Sequence, residues 1–288
     1  MASPARAAEP PSLARLWLAA GVGNAFTSAL LNPLDAAKTR MQTTGTTSLL
    51  ATLRAMYTAG GLAGVFLPGL SASVLREFVY SGPRVGFYTP VRDAYVARLG
   101  AAPDAPAVKV AAALTTGAAS CVLANPIDVA KIRLQREPAR YAGALAALRA
   151  IARDEGARGL ARGLAPSTRR GAALSVGQLA CYDIVKAALR DAGLREGAAL
   201  HVAAALATGA AAAVCAAPFD MLKARCMAGE RGAGETVRGV LRALSAEGAL
   251  PRALFRGVLP AYLRQGPHAL IMLPVMEWLR GALGLPPV

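Results

Sequence analysis

The sequence predicts an all-α membrane protein: six transmembrane helices in three tandem pseudosymmetric repeats, with short amphipathic helices at the interface. Three observations predict it. Of the 288 residues, 55% are hydrophobic and only 17% charged, and mean hydropathy is positive, which places the composition on the membrane side of the usual range. Three stretches hold no Asp, Glu, Lys or Arg: Leu16 to Leu34, Val110 to Ile127 and Ala199 to Phe219. Each is about long enough to cross a hydrocarbon core of roughly 30 Å. The third observation is a period. "PLDAAKTRMQ", "PIDVAKIRLQ" and "PFDMLKARCM" open at Pro33, Pro126 and Pro218, 93 and 92 residues apart; Gly69, Gly163 and Gly257 fall 94 apart, as do Arg76, Arg170 and Arg264. Three independent sets at one spacing mean a triplication.

In chain order, residues 1–11 form a short Ala/Pro-rich tail, followed by a single domain over 12–288 with repeats at about 12–100, 104–195 and 198–288. "MASPARAAEPPS" fits neither a secretory signal nor an Arg-rich transit peptide, so any targeting information is expected inside the chain. Each repeat opens with an uncharged span rich in Ala and Gly, which suits close helix packing in lipid. The span ends in Pro-x-Asp-x-x-Lys. A proline inside a membrane helix kinks it and can carry the charged end towards the axis. Next come "SLLATLRAMYTAG", "YAGALAALRAIARDEG" and "ETVRGVLRALSAEG", whose apolar residues recur at helical spacing among bases, the pattern of a short interfacial helix. A glycine then opens the second span. "REFVYSGPRVGFYTPVR" carries charge at mid-span, and charge within a membrane helix must face protein or water. The second spans therefore line a wet central cavity.

Composition and motifs also exclude. Net charge is +15, but the bases are spread over every repeat and aromatics are few, so nucleic acid is not an expected partner. Cys121, Cys181, Cys215 and Cys226 show no CxxC spacing, which leaves neither a zinc site nor a disulfide framework. An enzyme is not expected either. The two histidines, His201 and His268, have no metalloprotease spacing, no Walker sequence is present, and "GVGN" at residue 21 lacks the third glycine of a dinucleotide fingerprint. No cofactor or metal is predicted.

The threefold Pro-x-Asp-x-x-Lys motif resembles that of the mitochondrial carriers of solutes, over nearly all of residues 12 to 285. The resemblance implies a monomeric six-helix bundle in the mitochondrial inner membrane, with its amphipathic helices on the matrix side, that exchanges small anionic metabolites by alternating access. It also implies roles. Asp35 would pair with Lys131, Asp128 with Lys223 and Asp220 with Lys38 as a matrix gate, braced by Gln42 and Gln135, with Met227 in the third bracing position. The opposite, cytosolic gate would use Tyr88 and Arg92, Tyr182, Asp183 and Lys186, and Glu277 and Arg280, joining Asp183 to Arg280 and Glu277 to Arg92. Thr89 stands where repeat one would hold its acid, and Met276 replaces an aromatic, so this gate is expected to be the weaker.

Read every fourth residue, because such positions share a helix face, the second spans give Arg76, Tyr80, Arg84, Tyr88, Arg92; Arg170, Leu174, Gln178, Tyr182, Lys186; and Arg264, His268, Met272, Met276, Arg280. Arg76, Arg84, Arg170 and Arg264 then converge at mid-depth with no acid on the same stripes. Guanidinium groups in a membrane cavity are costly, and a planar fork matches a carboxylate or phosphate at two points, so an anion is the natural cargo. Arg76, Tyr80, Arg84, Arg170, Gln178, Arg264 and His268 are the candidate substrate residues. Within the family, "GLSASVLREFVYSGPRVGFYTPVRD" and "RRGAALSVGQLACYDIVK" most resemble the dicarboxylate carrier, in a branch with the oxoglutarate carrier and the uncoupling proteins. Malate, succinate or a similar dianion, exchanged against phosphate or another dianion, is what this implies. Uncoupling proteins typically hold an acid where this chain has Ser28 and another where it has Gly177. "FRG" at Phe255, Arg256 and Gly257 and "YAG" from Tyr141 to Gly143 resemble cardiolipin-binding turns, in which amides at a helix start hold phosphate. The alternatives are an uncoupling-like proton or anion leak, and a transport-inactive membrane scaffold.

Overall fold

The computed structural model describes residues 13–100, 102, 104–191, 193, 198–229, 236–246 and 250–285, and among them the regular structure is entirely helical. Repeat one comprises α1 (Leu13–Leu30), α2 (Asn32–Thr44), α3 (Leu49–Phe66), α4 (Leu70–Gly86) and α5 (Tyr88–Leu99). Repeat two has α6 (Pro106–Arg136), α7 (Ala144–Leu160) and α8 (Leu164–Asp191); repeat three has α9 (Ala198–Ala228), α10 (Val237–Ala246), α11 (Leu250–Leu254) and α12 (Val258–Ala282). At 31 residues, α6 and α9 are each about 46 Å long at 1.5 Å per residue, enough to span a bilayer with a turn or two beyond it.

Prolines set the shape. Pro126 and Pro218 lie inside the continuous helices α6 and α9, but in repeat one the helix is interrupted at Leu31, just before Pro33. The second span of repeat one is interrupted as well. Pro90 has no N–H to offer the Gly86 carbonyl four residues back, and α4 ends at Gly86, with α5 resuming at Tyr88.

The long helices close into a ring: α1 packs on α4, α4 on α6, α6 on α8, α8 on α9, α9 on α12, and α12 back on α1. At the motif end α2, α6 and α9 also pack on one another, bringing the three post-proline segments to the axis. The even spans of the repeats open with Gly69, Gly163 and Gly257 at φ of +71°, +69° and +84°, a left-handed conformation that L side chains rarely adopt. Space for a side chain is tight there too. A Cβ at Gly69 would lie 2.7 Å from Cγ of Gln135, at Gly163 2.6 Å from Cγ of Met227, and at Gly257 3.2 Å from Cγ of Gln42. In each case the neighbour belongs to the next repeat, cyclically.

Candidate functional site

At the motif end each aspartate is buried and uses both oxygens. Asp35 Oδ2 accepts from Lys131 at 2.9 Å, Asp128 Oδ2 from Lys223 at 2.7 Å and Asp220 Oδ2 from Lys38 at 2.6 Å. The other oxygen takes an arginine. Arg264 meets Asp35 Oδ1 at 2.8 Å, Arg76 meets Asp128 Oδ1 at 2.7 Å, and Arg170 meets Asp220 Oδ1. This corrects the expectation that the cavity arginines lie without an acid. Arg76, Arg170 and Arg264 each find one on the motif-bearing helix of the following repeat, cyclically, on α6, α9 and α2, where a reading along its own stripe cannot see it. Arg76 also donates to Glu77 at 3.0 Å and lies 4.9 Å over the Tyr80 ring. The result is a closed, three-fold network in which every aspartate joins repeats by two bonds.

A second tier lies beneath it, made by the base two residues after each motif lysine. Arg40 Nε donates to the Gln135 carbonyl at 2.9 Å, Arg133 Nε to the Met227 carbonyl at 3.2 Å, and Arg225 Nε to the Gln42 carbonyl at 2.8 Å. These arginines were missed as site residues, although their recurrence at one spacing in all three motifs could have found them. The arrangement also corrects the bracing role. Gln135 Oε1 accepts from Thr39 at 2.7 Å and Gln42 Nε2 donates to the Arg256 carbonyl at 3.3 Å, and neither of these hydrogen bonds is to an aspartate–lysine pair. The position is used through its backbone oxygen and its packing on a glycine. Met227 makes both of these contacts, to Arg133 and against Gly163.

Two further residues escaped the sequence reading. Asn32 Nδ2 donates to the carbonyls of Phe66 at 2.7 Å and Pro68 at 3.0 Å, and Asn125 Nδ2 to those of Leu160 at 2.7 Å and Arg162 at 3.2 Å. Each satisfies carbonyls left over where an interfacial helix ends, and so clamps the turn into the even span. Repeat three has Ala217 at that position. Glu155 on α7 meets Arg133 and Arg162, the latter at 2.8 Å.

Comparison with known proteins agrees with this geometry. The family model described as mitochondrial carrier protein matches residues 9–98, 103–193 and 195–285. The chain belongs to the mitochondrial carrier family. It is similar to the human mitochondrial transporter UCP3 (31% identical, over 95% of this chain and 94% of that one), its rat counterpart (32%, the same coverage) and mitochondrial uncoupling protein 1 of Arabidopsis thaliana (33%, over 93% and 92%). These relatives carry UCP or uncoupling-protein names, not the name of the dicarboxylate carrier that the sequence is expected to match most nearly. As a family member the chain is a transporter and not an enzyme, and a multi-pass protein of the mitochondrial inner membrane.

At the opposite end of this carrier the described ion pair is local to one helix. Arg92 pairs at 2.9 Å with Asp93, its neighbour on α5, in place of Glu277, which is exposed. The helix break at Phe87 separates this segment from α4 and leaves Arg92 next to an acid of its own helix. Tyr88 and Lys186 are partly buried, as is Arg280. The side chains of Arg84, Gln178, Tyr182 and Asp183 lie outside the described residues. Between the ends, Tyr80, Tyr88, Arg76 and Glu77 line a cavity of about 460 Å³, and Arg170, Arg264, Gln265 and His268 line another of about 290 Å³. Of the lipid candidates, Tyr141 stacks 5.5 Å from the Arg140 guanidinium, and the Ala144 amide beside Gly143 donates to Ser71 Oγ at 3.2 Å. Phe255 is exposed, Arg256 is partly buried, and Gly257 opens α12.

Proposed function

We propose that this carrier exchanges small dianions, dicarboxylates such as malate or succinate, against phosphate or another dianion. The observation that carries the reading is the surplus of arginine at the floor of the cavity: three lysines and three arginines face three aspartates. Lysine and aspartate cancel as gate pairs. The arginines remain as cationic forks that a carboxylate or phosphate can take over from the aspartates.

The mechanism follows from that competition. With the ring formed, the motif end, assigned here to the matrix side, is shut. An anion that binds the arginines more tightly than the aspartates do weakens one half of each aspartate's bonding and shifts the population towards the open ring, by no more than that difference in affinity. At the cytosolic side, Asp183–Arg280 and Glu277–Arg92 would then close behind the cargo. The carrier acts as a monomer, with cardiolipin at the Tyr141–Gly143 and Phe255–Gly257 turns.

A second reading, an uncoupling-like leak, is favoured by the names of the relatives. Against it stand Ser28 and Gly177, where uncoupling proteins typically hold acids. One experiment separates the two. Cardiolipin-containing liposomes holding the protein, internal malate and a pH-reporting dye are offered labelled malate, succinate, oxoglutarate, phosphate, aspartate or ATP. Dicarboxylate uptake that needs internal substrate and collapses in Arg170→Ala supports exchange. A fatty-acid-dependent proton current without exchange replaces it with the leak, and neither signal from folded protein leaves a scaffold.

A further inference from the structure

We propose that Glu77 sets the charge of the cargo, by holding Arg76 through the whole cycle and leaving Arg170 and Arg264 as the two guanidinium groups that grip a dianion. The inference rests on the anion-exchange reading and deepens it.

Glu77 breaks the three-fold symmetry. The residue after the cavity arginine is Glu77 in repeat one, Gly171 in repeat two and Gln265 in repeat three, so only Arg76 has an acid beside it on its own helix. Glu77 is 6% exposed and accepts from the Ser28 hydroxyl at 3.1 Å as well as from Arg76. Asp128, Asp220 and Asp35 reach their arginines from another repeat and part from them when the ring opens. Glu77 cannot part in this way, because it rides on α4 with Arg76. Ser28 travels with the pair: α1 is bound to α4 by the Phe78 ring, which fills the space where a Cβ on Gly21 would lie, and by Trp17 Nε1 donating to the Phe78 carbonyl at 2.9 Å. Tyr80 covers the Arg76 guanidinium from a third side.

Arg264 presents the opposite case. Its Nε is buried with no hydrogen-bond partner among the described residues, and it shares a cavity with Arg170, Gln265 and His268. A buried N–H without an acceptor is costly, and a carboxylate oxygen would satisfy it. Counting the described side chains of the ring and cavity floor, three lysines and three arginines stand against three aspartates and Glu77. Two positive charges are left. Within this described set the arginines without an acid beside them on their own helix are Arg170 and Arg264, and a cargo of two negative charges balances that pair.

The test is a charge series. Unlabelled lactate, malate and citrate compete with labelled malate for exchange in proteoliposomes carrying wild type, Glu77→Gln, or Glu77→Gln combined with Ser28→Asp, which moves the acid across the 3.1 Å contact. Malate is expected to compete best in wild type. Glu77→Gln is expected to shift the citrate-to-malate ratio of apparent affinities at least tenfold towards citrate, and the double variant to return it. A ratio within twofold of wild type in folded Glu77→Gln, or no return in folded double variant, overturns the inference. The same series is read as thermal stabilisation of the detergent-purified proteins, which needs binding and no translocation. If wild type exchanges nothing, the transport reading fails, while the order of stabilisation still decides the role of Glu77: an order that Glu77→Gln does not alter, or no stabilisation at all, overturns it.

Discussion

The two ends of the cavity are built to different tolerances. At the motif end each aspartate side chain is no more than 10% exposed and is held by a lysine and an arginine from other helices. At the opposite end Arg92, 32% exposed, meets an acid of its own helix that is 57% exposed, and Thr89 occupies the position of the expected gate acid. Ion pairs in water contribute about 0–1 kcal/mol, whereas removing one partner of a buried pair costs about 3–5 kcal/mol, because the other charge is left uncompensated. The difference teaches where the energy of the cycle resides. Among the described side chains, one end is locked across three repeats, while the pair at Arg92 stays within one helix.

The most severe way to break the comparison is Asp128→Asn. It strands Lys223 and leaves Arg76 to Glu77 alone, and exchange is expected to fall below about a hundredth of wild type with a lowered melting temperature, by the cost of a buried unpaired charge; near-normal uptake would rule out a lock at this end. Next comes Gly163→Ala, which meets both a left-handed backbone and Met227. A loss of about 1–3 kcal/mol is expected from strain of this kind, measured as a fall in melting temperature in the same detergent. Asn125→Ala removes two hydrogen bonds at the end of α7 and should cost about 1–2 kcal/mol, while the reverse change in repeat three, Ala217→Asn, tests whether the missing clamp can be supplied; equal melting temperatures for Asn125→Ala and wild type would reduce the asparagine to a bystander.

At the loose end the effects shrink. Thr89→Asp restores an acid near Arg92, and a severalfold slowing of exchange is expected as closure there gains a partner to break; unchanged kinetics would mean that repeat one takes no part in that gate. Asp93→Asn is the smallest, within about twofold in rate, as befits an exposed pair. A larger effect would show that the Arg92–Asp93 contact is itself part of the cycle.

The all-helical, three-repeat architecture was legible because period survives in sequence: glycines and arginines 94 residues apart need no structure to be counted. What stayed hidden was whatever depends on a neighbour in space. The acids that meet Arg76, Arg170 and Arg264 lie on helices of the following repeat, and Glu77 sits one residue off the stripe that was read. The second-tier bonds of Arg40, Arg133 and Arg225 end on backbone carbonyls, which every residue has, so Met227 looks like a defect in sequence and fits in the fold. Pro90 was readable as a helix breaker, but its effect on Arg92 depends on which acid the break leaves nearby.

Finally, α12 packs against α1, and Lys38–Asp220 joins the first repeat to the third as Lys131–Asp35 joins the second to the first. A chain that is linear as synthesised is cyclic in its contacts, and a cycle has no first member. The order in which a ribosome delivers the repeats is then a matter of history, with no counterpart in the finished ring. A circular permutant that opens just before α6 and joins the old ends by a linker keeps every contact of the parent available to it.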